Sequence, residues 1–408
     1  MLGGCEKDKY DDTALQKRIA ELEEQKKRVD ELEKQQKNLE AQQKNLESLM
    51  AALESNDYIT NITPITESGA QVGYTITFTN SPAITLYNGL IASITVNDNV
   101  TATFTLIGGK KITVPLYPGD GTEASPRAIF NAADLDVIRR GLYSHYILMA
   151  DITVTDWLPL GEEIPGAVAT KFTDNFDGNG HTITINSFGA VRMEFTGRYH
   201  YGLFGYIDGG AVSNLHVAYG NVATVSHNDG SILYGGIASL LDNFGVIENC
   251  SVSGAIAIEA PVSYVFAGGI TGIVSNFSKI QNCYATGSMP ISSGFNNFAG
   301  GIVGNIGSFS IMTSCVALQT AITGSAIRSG RVVGIIDSGA TVADSYANDE
   351  MTVNGATIAA GVGAANNING ADCSSANWSA AAWWTGTLGW SSIWDFTGVS
   401  ATSYPKLR

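Results

Sequence analysis

Charge is scarce in this chain. Only 15% of its 408 residues are Asp, Glu, Lys or Arg, and the net charge is -15. Residues 1 to 56 hold 10 of the 23 basic and 13 of the 38 acidic side chains, leaving 13 and 25 for the following 352. A sparsely charged, acidic bulk argues against nucleic acid as a partner and against electrostatic binding to anionic lipid. Apolar runs long enough to span a bilayer are missing. Histidine is limited to His145, His181, His200, His216 and His227, none of them in an HExxH helix, so the zinc-peptidase arrangement is not offered. The cysteines are few and odd in number: Cys5, Cys250, Cys283, Cys315 and Cys373. The middle three recur periodically and supply no ligand set for a metal. They read as free thiols stacked in a core, where parallel Cβ vectors disfavour a disulfide.

Glycine, in contrast, is abundant at 46 residues, without the third-position period of collagen. That excess fits a fold made mostly of corners. The chain also repeats itself. YGLFGYI (201 to 207), YGGIASLL (234 to 241), AGGITGIV (267 to 274), AGGIVGNI (299 to 306) and SGRVVGII (329 to 336) align on a short apolar core led by Gly202, Gly236, Gly269, Gly301 and Arg331. A second segment follows each: VSNLHV, IENCSVSG, IQNCYATG, MTSCVALQ and VADSYAND. A fixed offset inside a period of 30 to 34 residues marks one unit stacked on the next, a solenoid. Each unit carries short runs of β-branched and small residues between Gly, Asn, Ser and Asp, without helical period, so each coil is built of strands. The expected fold is mainly β, a parallel β-helix. Asn214, Asn249, Asn282, Ser314 and Asp344 form a predicted corner ladder, and Leu215, Cys250, Cys283, Cys315 and Ser345 an inward row beside it. A worn sixth unit is read from AAGVGA (359 to 364) to Asp372 and Cys373.

Ahead of the solenoid, residues 13 to 55 read as an uninterrupted helix, capped at Asp11 or Asp12. Leu15, Leu22 and Val29 share one heptad frame, and Leu32, Leu39, Leu46 and Leu53 another. The intervening a-type positions, Ile19, Lys26, Gln36, Gln43 and Met50, are mostly polar. A homotrimer with Gln layers is one reading, and a lone helix or another state the alternative. Residues 56 to 118 alternate as a small antiparallel β module, and 119 to 170 link to and cap the solenoid, with Asn131 starting a short helix. The repeats occupy 171 to 373. Residues 374 to 408 hold Trp378, Trp383, Trp384, Trp390 and Trp394, read as a cover on the last coil's apolar end, with a sugar-stacking platform as the rival.

Leu2-Gly3-Gly4-Cys5 resembles a bacterial lipobox, and EKDKYDD (6 to 12) looks like the acidic export tag of Bacteroidetes surface lipoproteins. The resemblance implies lipidation at Cys5 and an outer-membrane anchor and tether over residues 1 to 12. Residues 5 to 90, with NDYITNITPITESG, resemble an N-terminal domain of unknown function carried by some Bacteroidetes polysaccharide lyases. FDGNGHTI (176 to 183) and the GLFG variants from 202 are similar to right-handed β-helix surface proteins with GLUG repeats. Ser239 and Arg331 depart from the motif glycines, which predicts uneven coils there.

The repeats place their acids at different points of the unit, so the sequence offers no convergent pair of carboxylates for glycoside hydrolysis and no calcium cluster for a lyase. Asp177 and His181 read as part of a coil-opening turn. Arg192, Arg198, His200 and Tyr201 form the one local polar-aromatic group. The sequence therefore assigns no catalytic residue, metal or cofactor. The expected function is a non-catalytic, lipid-anchored surface protein whose solenoid serves adhesion or glycan binding. The alternatives are a polysaccharide-degrading lyase or glycosidase, and a purely structural component.

Overall fold

The computed structural model describes residues 13–54, 59–67, 69–78, 82–87, 91–97, 101–106, 111–115, 119, 121–161, 171–191, 197–220, 223–227, 229–260, 264–293, 297–324, 328–359 and 361–408. They fall into two compact units, Met1–Tyr117 and Pro118–Arg408.

The first unit opens with an α-helix, Thr13–Glu54. The twin heptads KQQKNLE and AQQKNLE make the same bond twice: Gln36 donates to Glu40 and Gln43 to Glu47, each at 3.0 Å. Leu15, Ile19, Leu22, Val29 and Leu32 remain exposed. Two three-stranded antiparallel sheets follow, Ile59–Glu67, Ala70–Phe78 and Ile84–Tyr87, then Ile91–Asn97, Thr101–Leu106 and Lys111–Pro115. They enclose one small core containing Ile59, Ile76, Phe78, Leu86 and Phe104. Asn45 fastens the helix to this module by donating to the Thr85 carbonyl at 2.6 Å.

The second unit is a parallel β-solenoid of five sheets. The first sheet stacks eight strands, from Arg127–Ile129 through Ala211–Ser213, Val246–Glu248 and Lys279–Gln281 to Thr341–Ala343. The second also has eight, including Thr182–Ile185, His216–Tyr219, Ser251–Ser253, Tyr284–Ala285, Val316–Ala317, Tyr346–Asn348 and Ala371–Cys373. A third begins at Ala223–Ser226, a fourth runs from Arg198–Tyr201 to Arg328–Gly330, and a fifth from Phe204–Asp208 to Val333–Ile336. One circuit visits all five, and parallel pairing repeats at each step.

The corner ladder is present. Asn214, Asn249, Asn282, Ser314 and Asp344 all take φ between 47° and 55°, the left-handed region that Asn and Asp tolerate. Asn249 donates to Asn214 and Asn282 to Asn249, each at 3.3 Å, and Asn214 donates to Asp177 at 2.9 Å. Leu215, Cys250, Cys283, Cys315 and Ser345 are fully buried behind it. The four described cysteines are free.

Of the residues read as a worn sixth unit, Ala371–Cys373 adds one strand to the second sheet, and Cys373 packs in a Trp cluster. Two expectations need correction. The predicted unevenness at Ser239 and Arg331 is absorbed by hydrogen bonds. Ser239 gives its hydroxyl to the Gly205 carbonyl. Arg331, fully buried, donates to the carbonyls of Asn348, Asn369 and Gly370 and to Asp372 at 2.6 Å, filling the open end that a glycine would leave. The Trp residues cover the flank of the solenoid and not its end. They bury themselves against the outer face of the second sheet, descending it coil by coil. Trp383 meets Tyr346, Trp390 donates to the Ser314 carbonyl, and Trp394 and Tyr404 meet Tyr284. Arg408 reaches the first-coil turn, where a Cβ on Gly180 would lie 2.3 Å from its carbonyl oxygen.

Candidate functional site

Strand alternation sends every second residue of the second sheet outward. Parallel register aligns His216 with Ser251, Ser251 with Tyr284, Tyr284 with Val316 and Val316 with Tyr346. The upper members of this outward column are covered by the Trp cluster. The lower members are not. Between them and the segment Thr402–Leu407 lies a cleft of about 470 Å³, lined with hydroxyls from Thr182, Ser251, Ser253, Thr286 and Ser403, with Asp151, His216 and Tyr404.

His216 is the centre of this cleft. Its Nδ1 lies 2.7 Å from Oγ of Ser251 and its Nε2 3.0 Å from Oγ of Ser253. Burial pushes the imidazole down to about 4, partly offset by the Asp151 charge, so the ring is neutral at physiological pH. A neutral ring has one N–H and one lone pair. Ser251 is buried and sits against Tyr284, whose hydroxyl donates to the Pro405 carbonyl at 2.8 Å; burial pushes Tyr284 up to about 12. In the tautomer with Nδ1–H donated to Ser251, the hydrogen-bonded chain leaves the Nε2 lone pair facing the more accessible Ser253; in the other tautomer Ser251 donates to Nδ1 and Nε2–H to Ser253. Asp151 accepts from the backbone N–H of Thr182 at 2.8 Å and lies 3.2 Å from Nδ1 of His181, outside that chain.

Residues singled out in the sequence are placed as follows. Asp177 accepts from the Asn179 N–H at 2.8 Å in a turn that uses positive φ at Asn179 and Gly180, and His181 points to Asp151. Of the polar-aromatic group, His200 turns inward to Ser239 at 2.6 Å and Tyr201 meets His227, while Arg192 lies outside the described residues, as does Cys5. Tyr199 instead stacks on His227 at 3.4 Å and donates to Asp229 at 2.9 Å. Two acids do share a register, contrary to expectation: Asp208 aligns with Asp242. Lys171 binds the first at 3.0 Å and the Tyr206 hydroxyl the second at 2.8 Å, which holds them as a structural pair. Among the described residues no group of three or more His, Cys, Asp or Glu is placed to hold a metal. No described helix is long and apolar enough to cross a membrane.

The His216–Ser251–Ser253 constellation was missed in the sequence although its signal was there. Each residue after the inward row, His216, Ser251 and Tyr284, occupies the same repeat position, and Ser253 lies two further along.

No family model matches the chain. Halomucin of Haloquadratum walsbyi is 31% identical over 176 residues, 40% of this chain and 2% of that protein. A protein of Evansella cellulosilytica named "Putative Gly-rich membrane protein" is 36% identical over 140 residues, 33% of this chain and 15% of that one. The chain thus spans a small fraction of the length of both relatives. Among solved structures, one titled as a "putative immunoglobulin A1 protease" from Bacteroides ovatus is 21% identical, with a TM-score of 0.47, covering 71% of this chain and 94% of that one. Another, titled "IgA1 Protease", is 16% identical with a TM-score of 0.40, covering 72% of this chain and 22% of that one. Likeness at these identities concerns the fold. The solved chains so matched are titled as proteases, and the expectation that this chain is not an enzyme is withdrawn.

Proposed function

We propose that this chain is an esterase that removes acyl groups from an extracellular polysaccharide, held at the cell surface through Cys5 and its helical stalk. The observation that carries the reading is the Ser253–His216–Ser251 chain opening on a hydroxyl-lined cleft. Ser253 is the nucleophile, His216 the general base, and Ser251 the positioning residue that holds the ring tautomer. As Ser253 Oγ attacks the acyl carbon, Nε2 takes its proton. The ester C–O bond breaks, and the proton passes to the departing sugar oxygen. Water then attacks the acyl-serine with Nε2 again as base, releasing the carboxylic acid and restoring Ser253. Glycosidic cleavage needs two flanking carboxylates, and of the lining residues Asp151 alone supplies one. The polar lining suits sugar hydroxyls.

The test is acetate release from acetylated xylan and from p-nitrophenyl acetate, together with covalent labelling by a fluorophosphonate. S253A and H216Q should each lose at least 100-fold in kcat, while S251A keeps part of the rate with a shifted pH profile. Failure of the fluorophosphonate to label Ser253, or equal rates for S253A and the parent chain, would sink the reading.

A further inference from the structure

At the corner between the fifth and first sheets, three successive coils place a phenylalanine at the tip of the turn. Phe244, Phe277 and Phe309 are 69%, 55% and 61% exposed. Their rings stack in one column, with centroids 5.3 and 5.4 Å apart and planes within 14°. Each follows a residue with positive φ (Asn243, Asn276, Ser308) and itself takes φ of 62° to 66°. Two left-handed residues in a row suit Asn-Gly, not Asn-Phe. The coil above obeys that preference with Gly339, whose modest size lets Phe309 lie against its backbone. The coil below has no counterpart, since Asp208 to Ala211 is one residue shorter than Asp242 to Val246. Ring stacking offsets the left-handed strain, but a Gly in the turn carries neither, and side chains this exposed gain little from burial. Beside the column the first sheet presents Val246, Lys279 and Ile311 in register, two apolar side chains around one cation, and Ile311 is 43% exposed.

We propose that this phenylalanine column is a secondary glycan-binding site, which grips a neutral, extended polysaccharide chain lying along the solenoid axis. The area argues for a slender occupant. Three phenylalanines exposed to this degree offer about 350 to 400 Å² of apolar surface, below the ~800 Å² per partner of a stable protein interface, so a second copy is disfavoured. The spacing argues for a repeating one: the ring-to-ring step is close to the advance of one sugar in an extended β-linked chain, so each ring meets an equivalent C–H edge. The neutral character follows from the three turn tips, which carry only Asn, Ser and Phe, Lys279 being the one charge in the column beside them. The choice of glycan rests on the esterase reading, and the site does not: it stands on a different face and on its own observations.

The experiment is titration calorimetry of the full chain with cello-, xylo- and chito-hexaose, and with acetylated xylan, comparing the parent with F244G/F277G/F309G and with F277N. Glycine and Asn suit the turn, so these variants keep the fold, which thermal melts verify. At least one hexaose should bind, with a tenfold or greater loss in the triple variant and a partial loss in F277N. No hexaose binding by the parent, or binding unchanged in the triple variant, overturns the site while leaving turnover at Ser253 to be judged separately. Self-association seen by light scattering in the parent and lost in the triple variant would assign the column to a second copy and overturn it too.

Discussion

A single histidine carries the sharpest pH signature. The folded state holds His216 neutral down to about pH 4, whereas the unfolded chain takes up a proton near 6.5. Its contribution is therefore complete above about pH 6.5 and is lost as pH falls towards 4, on the order of 3 kcal/mol in all. Urea unfolding at pH 7.5 and 4.5 should show that drop in the parent chain and a smaller one in H216Q. Arg331 works the other way. Replacing it with alanine orphans three backbone carbonyls and Asp372, whose carboxyl Arg331 holds below the usual range, and should cost about 3 kcal/mol in the same assay. N282A loses an amide bond and must hold an alanine at φ 54°, so about 2 kcal/mol is expected. At this scale the corner Asn residues were legible, because only their chemistry suits a recurring left-handed corner. Arg331 was not: its bonds go to segments 17 to 41 residues away, which a local motif does not show.

Elements tell a similar story. The helix, the alternating strands and the coil period were readable because each obeys its own periodicity. The path of the Trp-rich segment was not, since aromatic residues without period fix burial but not direction. The Phe turns give a test of element economy: F277G relieves left-handed strain of about 1 kcal/mol and forfeits ring stacking of similar size. Its melting temperature should thus stay within a few degrees of the parent. W384A, by contrast, empties the centre of the flank cluster, where the side chain is fully buried and its indole donates to the Trp378 carbonyl at 2.8 Å. A loss of 3 to 5 kcal/mol is expected from calorimetry.

For the molecule as a whole, the exposed leucines of the helix are the feature that invites a partner. Light scattering should give a multiple of the 43.0 kDa chain mass that falls to the monomer when residues 13 to 55 are removed; equal stoichiometry with and without them would exclude the stalk as the oligomerising element. Repetition made the architecture plain, yet it hid the cleft, because the cleft forms only where the Trp-rich segment returns along the coils. That return has a consequence for how the molecule can change. An ordinary solenoid tolerates gain or loss of a unit, since each coil touches only its neighbours. Here residues 383 to 408 touch the Tyr346, Ser314, Tyr284 and Gly180 levels in turn, and duplicating one coil would lift the upper anchors by ~4.8 Å relative to the lower. The segment therefore acts as a ruler, fixing the number of coils in a fold that would otherwise leave it free.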